Sequence, residues 1–436
     1  MSRVHIIGGG IAGLSAAVEL APQAEVFLYE AASIAGGRAR SFYDSALGCK
    51  IDNGNHLVLS ANKYLLRYVD LIGSRSRLRI AQRPLFPFFN LKTQKLWKLS
   101  LSSGKVPFWM FFNSRRPPNM GLAELWSFYS FLKADENTTA IECLKSGGLT
   151  EFLLKPLIIS ALNTSVESGS AKLFANIIRE SLLQGGRGCH PIYPLESLEN
   201  AFVNPALSYL DKFKVHMNFN MRIREIIFEK GRAVALKTNH DLLHLSQDDF
   251  VILATPSSIA KGLLPNLNAP DEYESILNIH FHLPFMPSLR GIIQKTGFLG
   301  VNLGISEWIF VKDRVISVTI SAANRYASIS KERLVSRVWQ EVVLALRKNL
   351  LENISQLKMP EYRLINEKRA TFAATSSQNA KRPGTATQFL NLVLAGDWIS
   401  TGLPSTLEGA VRSGLAAVGE LGFRSAISQG YLPINN

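Results

Sequence analysis

"RVHIIGGGIAG", residues 3–13, decides the fold. Its first half is a short β-branched run, which reads as a buried parallel strand. The strand stops in Gly8-x-Gly10-x-x-Gly13, and "LSAAVELA" continues as a helix. The three glycines have separate jobs. Gly8 permits the tight turn, Gly10 lets the backbone approach a pyrophosphate, and Gly13 lets helix and strand pack closely. Ile11 and Ala12 lie at the helix N-terminus, the end that receives negative charge. "AEVFLYE" is then a second strand ending in Glu30, 17 residues beyond Gly13, where a carboxylate accepts hydrogen bonds from a ribose diol. Strand, turn, helix, strand and terminal acid, in that order, predict a dinucleotide-binding unit.

The residues that follow favour FAD over NAD. In "AASIAGGRARS", Gly36, Gly37 and Arg38 form a second glycine turn bearing a cation, with Arg40 close behind. Such a turn meets the same pyrophosphate from the other side, which a simple NAD domain does not need. "KIDNGNHLVL" adds a tight turn through Asn53, Gly54, Asn55 and His56, where Gly54 allows the backbone to approach a flat ligand. Far along the chain, "NLVLAGDW" is an apolar strand ending in Gly396 and Asp397, an acid placed to hold the ribityl or pyrophosphate end of the cofactor. Leu403, Thr406 and Ala410 belong to the helix start beyond it, where Ser405-x-x-Glu408 reads as a capping box. The positive end of that helix can face the flavin pyrimidine. Between these two regions, "DDFVILATPSS" is a buried strand running into Thr255, and "MRIREI" reads as a strand against adenine, with a backbone contact near Ile223. No Cys or His stands in an evident flavin-tethering motif, so the FAD is expected to be non-covalent.

Composition agrees with a large folded chain. Of 436 residues, 47% are hydrophobic and 19% charged, which supports a sizeable core and argues against global disorder. The net charge of +14 favours an anionic surface. Nucleic acid is not the expected partner, because the basic residues are dispersed and no nucleic-acid-binding module is present. Cys49, Cys143 and Cys189 are widely separated, which fits a reducing compartment and gives no metal site. No signal-peptide pattern opens the chain, and no apolar run reaches the ~18 residues of a membrane span. The expected location is cytoplasmic, peripheral on the inner face of the plasma membrane.

The predicted fold class is α/β: a Rossmann-like FAD-binding domain, discontinuous over 1–75, 205–258 and 385–436, with an inserted α+β domain over 76–204 and 259–384. The inserted segments lack nucleotide motifs and are rich in Leu, Ile and Phe, as expected of a substrate-binding, membrane-facing part. Within them, Val106 to Phe112 is an aromatic run followed by Arg115 and Arg116. It is expected to dip into a bilayer interface while the two cations meet lipid phosphate, or else to line the internal tunnel.

"GGGIAGLSAAVEL", "YEAASIAGGRARS", "VILATP" and "LAGDW…EGAVRSG" resemble the amine oxidase and phytoene desaturase superfamily of FAD enzymes. Mid-chain stretches, among them "ALGCKIDNGNHLVLSAN", "KPLIISALNTSVESGSAKLFANIIRESLLQGGRGCHP", "EWIF" and "EKRATFAAT", are similar to the bacterial hydroxysqualene dehydroxylases, over nearly the whole chain. The resemblance implies a GR2-type flavoprotein that converts hydroxysqualene to squalene, the precursor of hopanoids, and that meets the upstream squalene-pathway synthases. Losing an allylic hydroxyl requires a proton donor. His56 is one candidate, as the only histidine inside a cofactor motif; Glu180 in "IIRESL" and Arg369 in "EKRATF" are others. Two alternatives stay open: another FAD oxidoreductase of the superfamily, such as a carotenoid desaturase or amine oxidase, and a flavin-free isoprenoid-binding protein.

Overall fold

Val4 and Ile6 are fully buried, and the strand that carries them, β1 (Arg3–Ile7), is the centre of a five-stranded sheet. The computed structural model describes residues 2–425; Met1 and residues 426–436, the last part of the segment expected to bind FAD, lie outside the described residues. After β1 come α1 (Ile11–Leu20), β2 (Glu25–Tyr29), β3 (His216–Asn218), β4 (Phe250–Leu253), β5 (Leu392–Leu394) and α2 (Leu407–Glu420). The sheet order is β3-β2-β1-β4-β5, and every pairing is parallel. Three segments far apart in the chain therefore build one Rossmann-like sheet. The helices α1 and α2 approach closely, because a Cβ on Gly414 would stand 2.2 Å from Ser15 Oγ.

A second, mostly antiparallel sheet has seven strands, in the order Tyr362–Phe372, Tyr273–His282, Val315–Ile320, Trp308–Lys312, Phe298–Asn302, Leu85–Asn90 and Lys95–Ser100. Its side chains alternate with the two-residue period of a strand. Ile309, Val318 and Ile320 point to one face, where the helix Lys331–Leu346 covers them with Val335, Val338 and Val342. Trp308, Phe310, Thr319 and Ser321 point to the other face, onto a cavity. The helices Lys155–Leu162 and Ala171–Glu180 close that cavity with Leu157, Phe174, Ile177 and Ile178. The architecture is thus α/β with an α+β part set against the nucleotide sheet.

Two local expectations need correction. "MRIREI" does not form one strand: the strand starts at Glu225 and turns back through Lys230 and Gly231, both at positive φ (47° and 75°). Met221 to Arg224 instead cross the end of β2, and Met221 N donates to Glu30 O at 2.9 Å. The capping box at Ser405 and Glu408 is also displaced. The cap of α2 is Thr406, whose side chain accepts from Gly409 N at 3.0 Å. Glu408 faces away and accepts from Tyr64 N (3.2 Å) and Leu65 N (2.8 Å), so it caps the neighbouring helix Lys63–Leu71.

Candidate active site

One cavity of about 1160 Å³ runs from the first glycine turn to the apolar helices of the inserted part. It is larger than the roughly 300–1,000 Å³ that houses a drug-sized ligand. Gly8, Gly10, Ile11 and Ala12 form one wall of its polar end. Gly8 has φ +114°, which only glycine adopts without strain. A Cβ on Gly10 would meet no protein atom within 4 Å, so this residue looks into open cavity. Gly13 does not line the cavity; a Cβ there would stand 1.9 Å from Gly8 O, so its task is helix–strand packing.

Glu30 lies beside this turn with its carboxylate held by two backbone donors, Gly9 N and Ala32 N, each at 2.8 Å. Gly36, Gly37 and Arg38 complete the wall, with Gly36 N donating to Gly9 O at 2.7 Å. Ile223 closes the far side, and Thr255 Oγ1 is buried on the wall with no hydrogen-bond partner among the described residues. An open glycine cradle, an oriented carboxylate and an unpaired hydroxyl fit the pyrophosphate and ribose of a dinucleotide. They would be its holders.

The second glycine turn meets the C-terminal half-site through one ion pair. Arg38 Nη2 donates to Asp397 Oδ1 at 2.6 Å, across 359 residues of sequence. Arg38 also donates to Ala370 O. Gly396, Asp397, Leu403, Thr406 and Ala410 all line the cavity here. Two arginines with no place in the predicted site hold this loop. Arg382 is buried and donates to Trp398 O at 3.2 Å and to Ile399 O. Burial pulls its pKa down to about 10. Arg412 pairs with both oxygens of Glu180, at 3.0 and 2.7 Å. Its spacing of four from Glu408 on one helix was the available signal.

The proton-donor candidates fare differently. His56 and Asn55 line the cavity, and burial holds the His56 pKa down to about 4, so its ring is neutral at pH 7. Glu180 lines the cavity as the ion-pair partner of Arg412 rather than as a free acid. Arg369 is exposed at the rim, where it donates to Ser258 Oγ at 3.1 Å and lies over the Tyr273 ring. Asn53 and Gly54 do not line the cavity. Asn53 is buried against Glu367, and a Cβ on Gly54 would stand 2.9 Å from Asn278 Nδ2. The close approach that the structure shows at Gly54 is to Asn278 on a neighbouring strand.

Beyond the polar end, the wall becomes apolar: Phe86, Phe88, Leu101, Leu153, Phe174 and Phe310. Trp308 and Ser160 interrupt it, with Trp308 Nε1 donating to Ser160 Oγ at 2.9 Å. Sequence reasoning passed over both, because neither belongs to a motif with its own chemistry. The run Val106 to Phe112 lies next to this wall, since Trp109 N donates to the hydroxyl of Ser102, the neighbour of Leu101. Phe108, Phe111 and Phe112 are 59%, 70% and 53% exposed, while Trp109 is buried. The two arginines expected to meet lipid phosphate are half-buried and spend donors on the protein backbone. Arg115 donates to Ser100 O (3.0 Å) and Leu101 O (2.9 Å), and Arg116 donates to Met110 O (2.9 Å), so Arg115 ties the segment to the end of the strand Lys95–Ser100 and Arg116 ties it to its own backbone.

Among the described residues no group of His, Cys, Asp or Glu is placed to hold a metal, and no helix is long and apolar enough to cross a membrane. Residues 11–421 match the family model described as flavin containing amine oxidoreductase. The chain is 39% identical over 424 residues to the hydroxysqualene dehydroxylase of Zymomonas mobilis, covering 96% of this chain and 98% of that protein. It is 40% identical over 419 residues to the hydroxysqualene dehydroxylase of Sinorhizobium fredii, covering 94% and 96%. Among solved structures, cyclohexylamine oxidase from Brevibacterium oxydans shares the fold, with a TM-score of 0.69 at 15% identity, over 97% of this chain and 99% of that one. The polar cradle, the chamber that opens from it and these likenesses have one conclusion: the chain belongs to the flavin containing amine oxidoreductases and, among them, to the hydroxysqualene dehydroxylases.

Proposed function

We propose that this protein carries out the FAD-dependent reductive dehydroxylation of hydroxysqualene to squalene. The observation that carries the reading is the single cavity that joins a dinucleotide cradle to an apolar chamber, in a chain whose relatives bear that activity in their names. At an allylic carbon the C–O bond breaks, the oxygen leaves as water with one added proton, and a hydride completes a new C–H bond. Bound FAD, kept reduced by an external donor, supplies that hydride. The chain's own part is to hold and to exclude. Gly10, Glu30 and Asp397 bind the dinucleotide without a covalent link, while Phe88, Leu153, Phe174 and Phe310 keep water from the reacting carbon. The test is anaerobic incubation of the flavin-loaded protein with a reductant and hydroxysqualene. Squalene is the expected product; conversion of a carotenoid or amine substrate instead, or a protein that takes up no flavin, would point to the alternatives.

The substrate is insoluble in water, and the same reading gives the exposed aromatic segment an anionic lipid surface on the cytoplasmic side. Val106, Phe108, Phe111 and Phe112 are each more than half exposed beside the apolar end of the cavity. Burying such side chains contributes roughly 1.5–3 kcal/mol each. Phe108→Ser with Phe111→Ser should lower flotation with anionic liposomes, and unchanged flotation would remove this docking role. Upstream squalene-pathway synthases, which make the substrate, would deliver it at that surface.

A further inference from the structure

We propose that Ser160 recognises the hydroxyl group of the substrate, and that Trp308 is the positioning residue that aims it. The inference rests on the dehydroxylation reading and adds the place where the reacting carbon sits. Ser160 is in the last turn of the helix Lys155–Leu162, on the cavity wall between Leu157 and the strand Trp308–Lys312. A serine inside a helix commonly returns its proton to the carbonyl four residues back. Ser130 does so within the helix Trp126–Lys133, to Trp126 O at 3.0 Å, and Ser181 does so at the end of Ala171–Glu180, to Ile177 O at 2.6 Å. Ser160 does not. Its oxygen accepts the Trp308 indole N–H at 2.9 Å, and among the described residues its own proton goes to no acceptor.

Ser160 is half-buried on this wall, and its hydroxyl keeps a proton to donate and a lone pair to accept, both turned to what enters the cavity. An alcohol can do both at once, donating and accepting. Thr319, another hydroxyl on this wall, is already paired twice: it donates to Asn278 Oδ1 at 2.8 Å and accepts from Asn55 Nδ2 at 3.0 Å. The indole that holds Ser160 lies near the Phe88 ring, with centroids 5.6 Å apart, and Phe88 and Phe310 also line the chamber. When the hydroxyl leaves as water, its allylic carbon becomes cationic, and aromatic faces attract such charge. Ser160 keeps its proton throughout; it orients the C–O bond and does not protonate it. The chamber thereby tells an alcohol from a hydrocarbon of the same length.

The test uses the flavin-loaded full chain in detergent, and compares binding of hydroxysqualene and of squalene, together with turnover, in the parent, Ser160→Ala and Trp308→Phe. The parent should convert hydroxysqualene and prefer it over squalene. Ser160→Ala should weaken hydroxysqualene binding by about ten-fold and leave squalene affinity and flavin content unchanged. Trp308→Phe should lose part of the same preference. A parent that converts hydroxysqualene while Ser160→Ala keeps the full preference, or weakens both ligands equally, overturns the inference alone. A parent that binds and converts neither overturns the dehydroxylation reading, and this inference with it.

Discussion

Gly10 and Gly13 stand three residues apart and predict opposite failures. A side chain at Gly10 enters open cavity, so Gly10→Val should fold normally and purify with at least ten-fold less flavin per protein. Gly13→Val drives a side chain into the Gly8 carbonyl, so it should lower thermal stability before any effect on flavin is read. Equal flavin content in Gly10→Val would remove the first turn from the site. His280 gives a pH test. It is 1% exposed, and burial holds its pKa at about 4 instead of 6.5. Below pH 6.5 the unfolded chain takes up a proton that the folded chain refuses, so this contribution is whole above 6.5 and is lost as pH falls towards 4. The loss amounts to roughly 3 kcal/mol. Denaturant melts from pH 7 to 4 should show it, and His280→Asn should reduce the slope by one proton. A slope unchanged by that substitution contradicts the assignment. At this scale much was legible, because Gly8, Gly10 and Glu30 sit in a local pattern. Gly54 was not, since its close neighbour Asn278 is more than two hundred residues away.

Helix ends show where local reading stops. Thr406 and Glu408 both stand at the start of α2, and either could serve that helix from sequence alone. Burial decides: Glu408 is 2% exposed and turned to the backbone of Lys63–Leu71. Glu408→Ala should therefore destabilise the protein by about 1–3 kcal/mol, because the buried Leu65 N–H and the partly buried Tyr64 N–H lose their acceptor. Thr406→Ala should cost about 1 kcal/mol, the usual loss of a cap. Denaturant unfolding of both variants checks the order, and a larger loss at Thr406 would contradict it. The strands of the nucleotide sheet were legible because each is a short apolar run ending in a marked turn. The seven-stranded sheet was not, since Leu85–Asn90 pairs with Phe298–Asn302 and no local pattern records so distant a partner.

For the whole molecule, three separated segments build one sheet and line one cavity, and the chain between them builds the apolar chamber. The returns of the chain to this sheet at β4 and β5 were readable because each strand ends in a marked motif, whereas β3 carries none. The chamber was readable only as composition: Ser160, Trp308 and the fastening arginines act through contacts that no spacing reveals. On the proposed reading these parts serve one event, the replacement of a hydroxyl by hydride at a carbon that the chamber would hold. The most direct measurement is a single turnover without oxygen, in which flavin oxidation is followed by absorbance and squalene is quantified. One flavin oxidised for each squalene formed is the predicted result. Squalene appearing while the flavin stays reduced would contradict it.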